Sequence, residues 1–146
     1  MHSIPLALIT TLIFITGCSS TNSTARNQKA SMIVMQADES KIDTVKISAL
    51  HGSFLNGQTN SNHNGSIVQI TGEVVAFALT EDGLYTITLR EGEIDAVCVF
   101  DDTISGKLGD GRAIQKSATL TVRGQCHSAG LFASSPFSMD GCQIVK

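Results

Sequence analysis

What this chain has least of is positive charge and aromatic surface. Ten Lys and Arg stand against thirteen Asp and Glu, for a net charge of −3, and the aromatics are six Phe, one Tyr and no Trp. The strong basic footprint of nucleic-acid binders and of polybasic membrane patches is therefore missing. No Cys-x-x-Cys pair occurs among the four cysteines, which argues against a dithiol redox site and against a paired-cysteine zinc site. The apolar run from Leu6 to Ile15, even extended to Gly17, is shorter than the roughly 20 residues that cross a bilayer core. A permanent transmembrane helix is disfavoured.

The same run suits the h-region of an export signal, about 7 to 15 residues long. It leads into Ile15-Thr16-Gly17-Cys18, followed by Ser19-Ser20, and residues 1–17 thereby resemble a bacterial lipoprotein signal peptide. One departure is the n-region, which offers His2 where a Lys or Arg is usual. The resemblance implies cleavage between Gly17 and Cys18, a diacylglyceryl group on the Cys18 sulfur and a third acyl chain, such as palmitate, on the freed amine. Each buried methylene contributes about 0.8 kcal/mol, so several chains anchor effectively permanently. Ser19 stands where, in enteric bacteria, an Asp retains lipoproteins at the inner membrane. The implied address is the outer membrane, facing the periplasm.

Beyond the leader about 129 residues remain, enough for one domain and a tether. Residues 18–40 begin rich in Ser, Thr and Asn, with Ile33-Val34 as the clustered apolar pair, and read as a flexible tether spanning about 25 Å as a random coil. A domain is expected over 41–146. Within it, Ile47, Leu50 and Phe54 fall at spacings of three and four, which place them on one face of a short helix over about 42–55. Asn56 to Ser66 has no apolar residue and two Asn-Gly steps, and reads as a solvated loop.

A barrel is expected over about 66–146, because the pattern then changes to strands. Ile67 to Leu79 is rich in Val and Ile and is interrupted by Gly72, a mark of a bulge or bend. Asp82-Gly83 supplies the positive φ of a hairpin turn, and Leu84 to Leu89 alternates. After a turn at Glu91-Gly92, the strand from Ile94 to Phe100 is apolar on both faces, which suggests that both are partly covered. A connector, Asp101 to Gln115, leads to strands at Ala118–Val122 and Gly141–Val145. Three strands in a meander, a connector and a closing hairpin fit a mainly β fold, a five-stranded Greek-key barrel of the OB type.

Particular motifs carry a further resemblance. Ile67-Val68-Gln69-Ile70-Thr71-Gly72-Glu73-Val74, Ala96-Val97-Cys98-Val99-Phe100, Thr119 to Cys126, and Gly141-Cys142-Gln143-Ile144 resemble the tRNA_anti-like family of OB-fold domains. Those segments match its V-x-V-x-G-x-V start, V-x-C-x-F centre, V-x-G-x-C strand and closing D-C-x-I. The match covers about 100 residues, and Asp140-Gly141-Cys142 inserts a glycine into the usual Asp-Cys step. The family name reflects a fold likeness to anticodon-binding domains and implies no tRNA binding, since fold is not function.

An OB domain that binds single strands needs stacking aromatics and a basic groove on its second and third strands. Here the outward positions are Thr86 and Thr88, with Asp95 beside Val97 and Val99, so no aromatic or basic residue is expected on that face. Tyr85 and Phe100 fall in the inward phase and read as core. Nucleic acid is disfavoured as a partner.

With Cys18 acylated, three cysteines remain in a compartment that permits disulfides. If the last two strands form a hairpin around Ser134-Ser135-Pro136, Cys126 and Cys142 each lie eight residues from Ser134 and come to face one another. Such a bridge contributes roughly 3 kcal/mol in the chain-entropy estimate and would leave Cys98 free. Pairing of Cys98 with Cys142 is the alternative, because the third and fifth strands meet when the barrel closes.

His51, His63 and His127 have no familiar metal-ligand spacing, so no metal or other cofactor is expected. Ser105-Gly106-Lys107-Leu108 fails the phosphate-loop template, which requires an earlier glycine and a Ser/Thr after the lysine. Asp101, Asp102 and Asp110 read as a solvated rim, and no nucleophile elbow occurs. The expected function is a noncatalytic, membrane-anchored periplasmic lipoprotein whose OB domain binds an envelope protein, a glycan or a small ligand. The alternative is a lipoprotein that binds single-stranded nucleic acid.

Overall fold

The computed structural model describes residues 20–55, 61–101, 104, 114–129 and 133–145. Six strands form one sheet: β1 (Asp43–Thr44), β2 (Ile67–Leu79), β3 (Tyr85–Glu91), β4 (Ile94–Phe100), β5 (Thr119–Ser128) and β6 (Phe137–Val145). Their order is β1-β2-β3-β4-β6-β5, and β5 also pairs with β2. Strands β2 to β6 therefore close on themselves as the expected five-stranded OB-type barrel.

Closure depends on the length of β2. Its first half runs antiparallel to β5, from Ile67↔Gln125 to Glu73↔Thr119. Its second half runs antiparallel to β3, from Glu73↔Arg90 to Leu79↔Tyr85. Gly72 sits just before the handover. A Cβ there would lie 2.9 Å from Ile47 Cδ1 and 3.0 Å from the Arg90 carbonyl oxygen, so the glycine permits a close crossing. The register shift itself falls later, between Val74 and Ala76. At the other seam, β6 runs parallel to β4 (Val97↔Ser138, Cys98↔Met139) and antiparallel to β5.

The expected helix appears as α2 (Ile47–Leu55), with Ile47, Leu50 and Phe54 buried, but it begins later than 42 because Asp43–Thr44 pair with β2 as β1. Phe54 stacks on Phe137, ring centroids 5.7 Å apart, so α2 packs its apolar face into the barrel core. Its N-terminus is capped from β3: Ser48 N donates to Glu91 Oε2 at 2.9 Å. That bond, joined by one from the Ser48 side chain and by the nearby Lys46 charge, lowers the Glu91 carboxyl below its ordinary value.

Two expectations are corrected here. The last two strands are longer than their glycines suggested. Gly124 does not end β5, because a Cβ at that point would come 2.6 Å from Cys142 Sγ on the adjoining strand, and the glycine is room for that thiol. The expectation of a flexible tether over 18–40 is corrected as well, since Ser20–Met35 form a helix, α1, packed chiefly on β6 and also on β5 and β4. Asn27, Ala30, Ser31 and Val34 are its buried residues, at helical spacing. Three of those four are small or polar, so hydropathy alone did not mark the stripe.

The docking is close. Gly141 has φ +61°, and a Cβ there would overlap backbone atoms of Ala30 and Ser31. Asn27 Oδ1 accepts from Gly141 N at 2.7 Å. The glycine inserted into the family's Asp-Cys step is thus the seat of α1. No helix among the described residues is long and apolar enough to cross a membrane.

Candidate ligand-binding face

The outer side of β2, β3 and β4 forms an open groove of about 830 Å³, bounded at its ends by His51 of α2, Lys116 and the Ser134-Ser135 segment. The pleat of β3 places Thr88 and Arg90 on this side, and β4 contributes Asp95 and Val97. Arg90 corrects the expectation of a face without basic residues. The strand runs on to Glu91, two residues beyond the end inferred from alternation, which carries Arg90 into the Thr86–Thr88 phase.

That guanidinium is already engaged. Arg90 lies opposite Asp95 in the ladder and donates two hydrogen bonds to its carboxylate, Nε to Oδ1 at 2.6 Å and Nη2 to Oδ2 at 2.8 Å. The bidentate bond holds the Asp95 carboxyl below its ordinary value and raises Arg90 above its own. Glu73 and Glu93 add negative charge and Lys116 adds positive charge, so among the described residues three carboxylates face two cations. Among the described residues no Phe or Tyr lines the groove, and the imidazole of His51 stands at its border. The surface offers hydroxyls, a paired guanidinium and carboxylates, which suits directional hydrogen bonding better than base stacking.

Phe100 is buried as expected, and Tyr85 packs against the core while stacking on Phe77 at 5.6 Å. Of the histidines, His51 borders the groove and His63 lies in the turn before β2. Among the described residues no three His, Cys, Asp or Glu side chains are grouped to hold a metal ion. Cys18 and Gly17 lie outside the described residues, as do Asp102, Asp110 and the Ser105–Leu108 segment.

The three remaining cysteines are buried thiols inside the barrel. The register that would have paired Cys126 with Cys142 does not occur. Cys126 faces Met139 across the β5–β6 ladder, while the Cys142 thiol donates to the Met139 carbonyl at 3.3 Å and is a hydrogen-bonding neighbour of Cys98. The shift arises because β6 bulges at Gly141-Cys142 opposite Gly124, between the pairs Gln125↔Asp140 and Arg123↔Gln143. Burial pushes the Cys126 thiol up to about 12 and raises Cys142 as well, so both stay protonated and poorly nucleophilic at neutral pH.

A buried polar cluster, which the sequence did not signal, lies where α1 meets β5 and β6. Asp140 is fully buried, with Arg26 Nε 2.7 Å from its Oδ2. Neither carboxylate oxygen has hydrogen-bond geometry to any described residue, and Asn27 Nδ2 and His127 Nε2 are likewise without partners among them. Burial lowers His127 below its ordinary value of 6.5, and Arg26 adds to this while Asp140 opposes it. The unfolded chain therefore binds a proton at this site at higher pH than the folded one does, so stability falls as pH drops from about 6.5 toward the lower folded value. Thermal melts between pH 7.5 and 5 should show this slope, and His127→Gln should flatten it. An unchanged slope would assign the acid sensitivity to other groups.

Comparison with known proteins follows the barrel. The tRNA_anti-like family model matches residues 1–133. The chain belongs to the tRNA_anti-like family. Among solved structures, this tRNA_anti-like domain is similar to a candidate nucleic acid-binding lipoprotein of Klebsiella pneumoniae, with 18% identity and a TM-score of 0.59, over 76% of this chain and 100% of that one. It is also similar to an asparaginyl-tRNA synthetase of Entamoeba histolytica, with 12% identity and a TM-score of 0.50, over 71% of this chain but 23% of the synthetase. At these identities the likeness establishes the OB-type fold. A search of curated proteins finds no match.

Proposed function

We propose that this protein is a noncatalytic lipoprotein, anchored through acylated Cys18 in the cell envelope and facing the periplasm from the outer membrane. Its groove on β2–β4 takes a polar partner there, an envelope protein segment, a glycan or a small ligand. The observation that carries the binding half is the Arg90–Asp95 pair. The groove's guanidinium is bidentately bound within the sheet, and stripping it from Asp95 to serve a phosphate would leave a carboxylate facing the polyanion. The lipobox sequence and the likeness to a lipoprotein of full matching length support the anchor.

The second reading, single-stranded nucleic acid, is supported by the likeness to the Klebsiella protein described as nucleic acid-binding. A titration of a labelled single-stranded oligonucleotide at low salt separates the two. The proposal expects no saturation below about 100 µM, the weak end of ordinary non-specific binding, whereas tight binding that weakens steeply with added salt would establish the second reading. For the anchor, metabolic palmitate labelling is expected to be lost with Cys18→Ala, and the protein to leave the membrane fraction. Retained labelling would overturn the assignment.

A further inference from the structure

We propose that the tip of the β2–β3 hairpin, at Phe77 and Leu79, is a membrane-docking face that dips into a zwitterionic phospholipid surface beside the Cys18 anchor. This rests on the anchoring read above. Phe77 and Leu79 are 46% and 60% exposed, although their partners in the ladder, Ile87 and Tyr85, lie on the side that faces the barrel core. The hairpin overshoots the barrel mouth, so its apolar side is left uncovered at the end. Tyr85 stacks beneath Phe77 at 5.6 Å, and Ala76 and Ala78 extend the exposed strand.

The position of the anchor names the occupant. Ser23 Oγ donates to Asp82 Oδ2 at 2.5 Å, which ties the start of α1 to the turn of this hairpin. Cys18 is five residues before Ser23, so covalent geometry alone keeps it within about 18 Å of that contact. Acyl chains on Cys18 would therefore bring this end of the barrel to the bilayer. Side chains such as Phe and Leu then enter roughly 5 to 10 Å at the headgroup boundary. Glu81 and Asp82 occupy the turn, and their repulsion from anionic lipid selects a zwitterionic surface. The exposed Met32, Ile33 and Met35 lie toward the far end of α1; Met35 is about 18 Å along the helix from Ser23.

Tyr85 is the only tyrosine and the chain has no tryptophan, so its emission reports on this face alone. The test uses full-length protein expressed with its leader, reconstituted into phosphatidylcholine vesicles with or without brominated acyl chains, with the acylation state read by mass spectrometry. At least a twofold quenching of Tyr85 by brominated lipid is expected. It should be lost in Phe77→Asp/Leu79→Asp, which keeps the acylated anchor and whose exposed positions leave the core intact. Acylated Cys18 with unquenched Tyr85 overturns the docking face alone, whether the tip stays in water or is covered by residues 105–113. An unacylated Cys18 overturns the anchor and the docking face together. Quenching of Met35→Trp without quenching of Tyr85 in the parent protein places the membrane at the other end of α1 and likewise overturns the proposal.

Discussion

Replacing Gly141 with valine should strip α1 from the barrel. The backbone there has φ +61°, and any Cβ would overlap main-chain atoms of Ala30 and Ser31. Main chain in a packed helix cannot swing aside as the end of a side chain can. The left-handed conformation alone costs a non-glycine residue about 1 to 2 kcal/mol. The overlap must be relieved by moving α1, which breaks the Asn27–Gly141 hydrogen bond and uncovers Ala30 and Val34. A loss of about 3 kcal/mol or more is expected, together with a change in what is protected. Arg26 and Lys29 lie on α1, so trypsin should cut there rapidly in the variant and slowly in the parent. Gly141→Ala should behave in the same way, to a smaller degree. Unchanged tryptic protection and a loss under about 1 kcal/mol would refute the seat assigned to α1.

The second large effect concerns charge at the same junction. Asp140 is wholly buried, whereas the Arg26 side chain is 61% exposed. Removing Arg26 therefore costs little in its own packing but leaves a carboxylate in the interior without its counter-ion. Breaking a buried pair from one side typically costs about 3 to 5 kcal/mol, and Arg26→Met should fall near the lower end, because water can reach the exposed side of the pair. Asp140→Asn combined with Arg26→Met should recover much of the loss, since a neutral amide tolerates burial better than an unpaired charge. With the single Asp140→Asn variant and the parent, these proteins form a double-mutant cycle measured by urea unfolding. A coupling energy near zero would show that Arg26 does not neutralise Asp140.

The contrast between β2 and α1 shows how far the sequence could be read. In β2 the β-branched run from Ile67 to Leu79 coincides with the observed strand, because a barrel wall asks for apolar residues at fixed alternation, and composition records that directly. Alternation and glycine positions end β5 and β6 short of their observed lengths. Gly124 and Gly141 looked like punctuation, whereas each makes room for a neighbour: a thiol in one case, a helix backbone in the other. Such room is a property of the partner element and leaves no local pattern. The same is true of α1, whose buried Asn27 and Ser31 serve contacts made after docking. On the ligand face alternation alone places Thr88 and Asp95. Arg90 was missed because pairing with Asp95 carried the strand to the edge of the turn. The proposed lipobox at Ile15–Cys18 is a different kind of signal, a run of residue types in order that requires no fold to be read.

The closing role of β6 also orders events in time. β6 supplies the parallel partner of β4, the antiparallel partner of β5 and the seat of α1. Asn27 and Gly141, which hydrogen-bond in the finished protein, are 114 residues apart in the chain. Until residues 137–145 are available, the barrel has an open edge and α1 has nowhere to dock. The packing of α1 and both seams of β6 are thus deferred to the last strand made, and contacts of such long range fold slowly. A nascent or translocating chain would stay in an open, unclosed state until its C-terminal strand arrives.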